Sequence, residues 1–558
     1  MRPIFFDGCF GWLHPGAAKH GVVLCGPLGE EADCARRSLR ELAEQLAAVG
    51  LPTLRFDYVG TGDSEGDELD PGRLRAWLQS THCAVRWLRE EARVDTLTLV
   101  GLRFGAALAV ACAEQLGSVD RLALLAPVIS GRAYRRELVM EARLAQRSVA
   151  DRSADGLDAD GIHLSAETLA DLGAFEVLRG PHSPAKHVLI LTREGARADA
   201  PLAERFTALG ADVEEGEFIG YGLLRWNPEA GLHPSAAFRR VVQWIAPNAP
   251  AFAGAAPCAG EVEITDAHIR ETAVVFGPEP GLFGVSCEPP EPQAQMKPTL
   301  LFLNTGTTTH VGPNRLWVSL ARRFARGGYR SLRFDLPGIG DSPTQPDQPK
   351  PMKDHRQAIA DMRSALDWLE GHGSHEVILI GYCLGAPLAC NLAMSDPRVV
   401  GQILINPWQL FWHETPAPYR VRTPASYVKL VCDPSTWRKT MRGAIPWAQV
   451  ALGAGRFALG VLGGLKRRFS AAESSSEAAV RVLRSLAARG VDTLLIYGEH
   501  EPLLEELEDY FQTRRGSLAE LLDLRIQRAP NVGHVFSRRS DRDQLAEIIA
   551  EHLEQVSI

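Results

Sequence analysis

Cysteine is scarce in this 558-residue chain: there are ten, none in a Cys-x-x-Cys pair and none grouped with histidine at zinc-ligand spacing. That excludes a disulfide framework and a zinc knuckle, and it predicts a reducing, cytoplasmic setting. An excess of positive charge is also missing, with 60 Lys and Arg against 68 Asp and Glu for a formal net charge of −8. Nucleic acid is therefore not an expected partner. No apolar run reaches the ~20 residues of a membrane-spanning helix. The most apolar window, 451–465, carries Arg456 and reads as a buried or cleft-lining helix. The opening MRPIFFDGCFGWLHPG lacks a basic stretch, an apolar core and a small-residue cleavage site, so it does not read as a signal peptide.

What remains is a globular composition, 45% apolar and 23% charged, on a chain too long for one hydrophobic core. An internal repeat divides it. LRFDYVGTGDS at 54–64 returns as LRFDLPGIGDS at 332–342, an offset of 278. TLTLVGLRFGAALA and VILIGYCLGAPLA then align Gly101 with Gly381 at an offset of 280, and LALLAPV and QILINPW keep that offset from Leu122 to Gln402. Spacing held over three motifs relates two long segments.

In each copy, β-branched or leucine-rich runs alternate with amphipathic helical stretches, as in VVLC, CARRSLRELAEQLAAVG and TLRFD. This predicts an α/β fold twice over, each a mainly parallel sheet flanked by helices. The Ala-, Pro- and Gly-rich stretch APNAPAFAGAAPCAG marks the connector. The predicted domains are 1–246 and 261–558, joined by a linker over 247–260. A hairpin over 269–289 should open the second domain, as IFFDGCFGWLHPG opens the first.

The run VILI enters Gly381-Tyr382-Cys383-Leu384-Gly385 and leaves as the helical pattern APLACNLAM. Strand, sharp turn and helix make a nucleophile elbow, whose central residue is strained and whose flanking glycines admit close strand–helix contact. Most free cysteines are buried small hydrophobes, and Cys390 fits that description. Cys383 stands instead at the centre of the elbow, before a helix amino terminus that favours a thiolate. In such folds the order is nucleophile, acid, base. TLLIYGEHEP supplies Glu499 and Glu501, and LRIQRAPNVGHVFS supplies His534, with His500 and His310 as alternative bases. The oxyanion hole calls for the backbone N–H of Leu384 and a second from the loop 304–309, with Thr307 the candidate.

With LRFDLPGIGDS, GYCLG, GEHEP and NVGH in place, the second half resembles the α/β-hydrolase superfamily, particularly its serine-aminopeptidase-like branch. GPNRLWVSLARRFARGGYRSLRFDLPGIGDS is similar to the hydrolases associated with bacterial exosortase systems, and the first half, with LCGPLGEE and LRFDYVGTGDS, resembles a companion group. The resemblance implies two tandem α/β-hydrolase domains with helical caps, placed over 130–186 and 408–490. It favours Glu501 over Glu499 as the acid. The usual elbow serine is replaced by Cys383, as in dienelactone hydrolases, and a thiolate suits thioesterase, lactone-opening or acyl-transfer chemistry better than amide hydrolysis.

The expected activity is a cysteine-dependent acyl hydrolase or acyltransferase acting on an ester or thioester through an S-acyl enzyme. Its substrate would be a small-molecule or carrier-protein-bound acyl group, with no metal or other cofactor. The first copy has Arg103 at its elbow and lacks a histidine where the base should fall, so it is expected to be inactive. Arg103 reads either as an exposed relic or as a guanidinium that binds a carboxylate or phosphate. The rival reading of the whole chain is a non-catalytic binding or scaffold protein. Oligomeric state is left open by the sequence.

Overall fold

The computed structural model describes residues 1–117, 119–145, 156–159, 161–177, 180–195, 200–226, 233–247, 262–266, 269–290, 297–344, 355–407, 409–410, 475–498, 501, 504, 525–530 and 532–555. By contact density these form two compact units, Met1–Ile380 with Val535–Ile558, and Gly381–His534. The linker proposed over 247–260 lies outside the described residues except for its first position.

The first unit contains the whole first repeat. Its strands are β1 (Arg2–Phe6), β2 (Cys9–His14), β3 (His20–Cys25), β4 (Thr53–Phe56), β5 (Thr96–Leu102), β6 (Arg121–Leu125), β7 (Gly156–Ala159), β8 (Ile162–Ser165), β9 (His187–Arg193) and β10 (Asp212–Phe218). Eight of them form a sheet in the order β1-β2-β4-β3-β5-β6-β9-β10. It opens with an antiparallel hairpin and is parallel from β4 to β10. Its central strands are apolar on both faces because helices pack on each side: Leu97, Leu99 and Leu122 face one core, and Val100, Ala123 and Leu189 the other. The segment predicted as a helical cap holds helices Gly131–Ala145 and Ala166–Ala174 and, unanticipated, the antiparallel hairpin β7-β8.

The same unit holds the opening of the second repeat: β11 (Val262–Asp266), β12 (Ile269–Phe276), β13 (Leu282–Glu288), β14 (Thr299–Phe302), β15 (Ser331–Phe334) and β16 (Val377–Tyr382), whose last two residues belong to the second unit. The β12-β13 hairpin falls where the sequence places it, and β15, β14 and β16 run parallel. Where the repeats meet inside this unit, counterparts face counterparts. Phe10 and Phe283, each one residue before the glycine that pairs with the Phe of an LRFD motif, stack at 6.3 Å. Met1, Trp12, Ala273 and Val285 complete that apolar patch.

The second unit carries β17 (Val399–Ile405), β18 (Asp492–Tyr497) and β19 (Arg525–Arg528), all parallel, with helices Gly385–Ser395 and Ser475–Ala488. Of the cap expected over 408–490, residues 411–474 lie outside the described residues, among them the apolar window 451–465. No helix among the described residues is long and apolar enough to cross a membrane.

Candidate active site

The elbow is built as the sequence requires. β16 ends at Tyr382, Cys383 takes φ +51°, and the helix begins at Gly385 with Leu384 as its cap. A non-glycine residue in that backbone region is strained, and strain of this kind persists where surrounding contacts fix it. Here the Cys383 N–H donates to the carbonyl of Ile405 at 2.9 Å. A Cβ at Gly381 would stand 2.7 Å from the carbonyl oxygen of Gly385, so only glycine lets strand and helix approach this closely.

Cys383, Glu501 and His534 lie together in the second unit. His534 Nε2 is 3.4 Å from Cys383 Sγ, and Nδ1 is 3.1 Å from each oxygen of Glu501. Glu501 is buried, whereas Cys383 and His534 remain partly open to solvent. Hydrogen bonds to Cys383 and Glu501 raise the His534 pKa from 6.5 to about 10. The imidazole is thus poised to hold a proton taken from the thiol, with Glu501 fixing its tautomer and orientation. Gly498, three residues before Glu501, is also constrained, since a Cβ there would come 2.6 Å from the Val532 carbonyl oxygen.

The competing candidates separate from this group. Glu499 and His500 lie outside the described residues. His310, in the first unit, is fully buried between two aspartates, with Nδ1 2.7 Å from Asp335 and Nε2 2.7 Å from Asp63. It is an ion-pair centre and takes no part in the Cys383–His534–Glu501 arrangement. His310, Asp335 and Asp341 cluster tightly enough to hold a cation. Both ring nitrogens of His310 are nevertheless engaged by carboxylates, and Asp341 is paired with Arg36 and Arg55, so the donor set serves internal ion pairs. Thr307 lies in the first unit, in the loop after β14, beside a turn closed by the Thr308 N–H to the Thr305 carbonyl at 3.1 Å.

Arg103 repeats the elbow backbone with φ +54°, but it is only 3% exposed, which corrects the reading of an exposed relic. Its Nε donates to Glu31 and its Nη2 to Glu137, both at 2.8 Å, and it lies over the Tyr134 ring. The carboxylates that meet this guanidinium are the protein's own. Elsewhere in the first unit, Glu194 is exposed and His233 pairs with Glu41.

Two residues at the site, Tyr382 within the elbow motif and Asn406 after β17, were given no role by sequence reasoning. The Tyr382 hydroxyl donates to the main-chain carbonyl of His534, and Asn406 Nδ2 donates to the same oxygen at 2.8 Å. The sequence signals were the contrasts between the copies: GYCLG against GLRFG for Tyr382, and INPW against LAPV for Asn406.

Two family models match in tandem: serine aminopeptidase S33 over residues 16–199 and the alpha/beta hydrolase family over residues 300–548. The chain belongs to the α/β-hydrolase family. Among curated proteins it is 27% identical over 181 residues to the polyketide transferase GrgF of Penicillium. That match takes in 29% of this chain and spans 59% of GrgF's length. The crystal structure of GrgF is similar at 18% identity over 51% of this chain and 98% of GrgF, with a TM-score of 0.32. A Pyrococcus furiosus esterase is similar at 15% identity over 51% of this chain and 90% of the esterase, also at 0.32.

Proposed function

We propose that this tandem α/β hydrolase is a cysteine-dependent acyl hydrolase or acyltransferase, with Cys383 as nucleophile, His534 as base and Glu501 as the acid that orients it. The observation that carries this reading is the chain of contacts Cys383 Sγ to His534 Nε2 at 3.4 Å and His534 Nδ1 to Glu501 at 3.1 Å, on a strained elbow.

In the first half-reaction Sγ attacks the carbonyl carbon of an ester or thioester while its proton passes to His534 Nε2. The carbonyl electron pair moves onto oxygen, for which the backbone N–H of Leu384 is the proposed donor from the elbow. The pair then returns, the bond to the departing alcohol or thiol breaks, and His534 protonates that group. In the second half-reaction a water, alcohol or thiol gives its proton to His534 and attacks the S-acyl carbon, and collapse releases the Cys383 thiol.

An acyl small molecule or carrier-bound acyl chain, polyketide-like in character, fits this chemistry. The matched relative, named a polyketide transferase, supports transfer as well as hydrolysis. We assign catalysis to the domain over 261–558 and an inactive role to the domain over 1–246, because a guanidinium paired with two carboxylates cannot act as a nucleophile. The test is turnover of a panel of acyl esters and thioesters, with and without an added alcohol or thiol acceptor. Product partitioning toward the acceptor makes the enzyme a transferase, and exclusive free acid makes it a hydrolase. Absence of turnover across the panel, or turnover unaffected by Cys383→Ala, would overturn the proposal.

A further inference from the structure

We infer that Asn406 and Tyr382 are positioning residues for the base: they fix the main-chain carbonyl of His534, and Asn406 ties it to Gly498, at the end of β18 and three residues before Glu501. The inference rests on the triad reading above and adds what holds that triad in register.

Asn406 follows β17 and is fully buried, as is Tyr382 next to the nucleophile. The two side chains donate to one carbonyl oxygen, that of His534. On its other edge Asn406 Oδ1 accepts from the Gly498 N–H at 2.7 Å, three residues before Glu501. The Asn406 N–H donates to Ile496 at 2.8 Å, anchoring the amide to β18. One side chain therefore bridges the end of β18, three residues before the acid, and the backbone of the base. With its carbonyl held by two donors, the His534 backbone has little freedom, and the ring is kept within reach of Glu501 on one side and Cys383 on the other. Misplacing a catalytic group by ~1 Å can cost about a hundredfold in rate.

The first copy supplies an internal control. At an offset of 280, Leu102 and Ala126 stand where Tyr382 and Asn406 do, beside Arg103. Ala126 keeps the same backbone, with φ +45° against +43° for Asn406, and its N–H donates to Leu191 at 2.7 Å. The turn thus forms without an amide side chain. The hydroxyl and the amide occur in the copy that has a histidine to hold and are absent from the copy that has none, which separates their role from the making of the fold.

The experiment follows iodoacetamide alkylation of Cys383, in which Sγ displaces iodide, by peptide mapping of the full-length protein at about pH 7 and about pH 9.5. Wild type, H534A, N406A and Y382F are compared, with Tm measured for each. Among the described residues the groups facing the His534 ring are Cys383, Glu501 and the ring of Tyr382, and the rate at neutral pH reads how well the imidazole is placed between the thiol and the carboxylate. We expect H534A to lose most of its rate at neutral pH, and N406A and Y382F to lose about tenfold or more there but less at the higher pH. If H534A falls while N406A and Y382F keep the wild-type ratio of the two rates, or fall equally at both pH values with a lowered Tm, the positioning role is refuted and the triad stands. If H534A itself matches wild type, the triad reading fails.

Discussion

Arg55 of the first LRFD motif reaches Asp341 of the second GDS motif at 2.6 Å, and Arg333 of the second LRFD motif reciprocates with Asp63 of the first. The exchange has the form of an isologous contact, in which i meets j and j meets i, written into one chain by duplication. Bridging cations repeat the pattern: Arg36 links Asp57 to Asp341, and His310 links Asp335 to Asp63. The repeated motifs are thus the residues that join the copies.

Asp341 is fully buried, and Arg55 and Arg36 hold its pKa down to about 2 against the effect of burial, which would raise it. Removing one partner of a buried pair leaves an uncompensated charge, at a cost of about 3 to 5 kcal/mol. Asp341→Ala should lower the denaturant midpoint accordingly, and Arg55→Met combined with Asp341→Leu should recover part of the loss. An unchanged midpoint in the single variant would show that the network contributes nothing to stability.

His310 is the network's pH-sensitive member. Burial opposes its charge, but Asp335 and Asp63 prevail and lift its pKa from 6.5 to about 10. A raised histidine contributes stability that is fully present below about 6.5 and is lost as the pH rises through about 10. The Asp63 pKa is lowered well below 3.8 because His310 and Arg333 outweigh burial, so its contribution is present above 3.8 and lost on acidification below that value. Wild-type Tm should therefore fall between about pH 7 and pH 10, and His310→Gln should lower Tm at neutral pH while flattening that decline. A variant that declines as steeply as wild type would assign the effect elsewhere.

Glu501→Gln keeps the shape of the acid and removes its charge. With one of the two supports of the raised His534 pKa weakened, the His534 pKa should move down from about 10. Turnover should drop by about 10⁴-fold, the size of effect seen when a triad acid is neutralised. Glu499→Gln, two residues earlier in the sequence, should retain activity. The reverse ranking in steady-state kinetics would exchange the two roles.

Much of this site could be read in the sequence because each feature needs a particular residue at a fixed spacing. Gly381 and Gly385 bracket Cys383 since the elbow admits no side chain at those points, the chain order acid then base points to the GEHEP and NVGH segments, and the family resemblance favours Glu501 over Glu499. The alternation of apolar runs and amphipathic helices likewise gave the parallel sheets. Contacts between distant residues left no such trace. The burial of Arg103 depends on Glu31 and Glu137 arriving from separate helices, so its charge alone suggested exposure. His310 looked like a spare base until Asp63 and Asp335 closed on it from the two copies. Tyr382 and Asn406 act on a backbone carbonyl, a function that requires the His534 turn to be folded beside them.

The central claim is that Cys383 forms an S-acyl enzyme. It is tested most directly by incubating the full-length protein with acyl thioesters and esters, quenching in acid and mapping the adduct by mass spectrometry. The account predicts an acyl mass on the peptide containing Cys383, accumulating further in His534→Gln if the second half-reaction is slowed more than the first, and absent from Cys383→Ala. An adduct on another residue, or turnover that persists in Cys383→Ala, would contradict it.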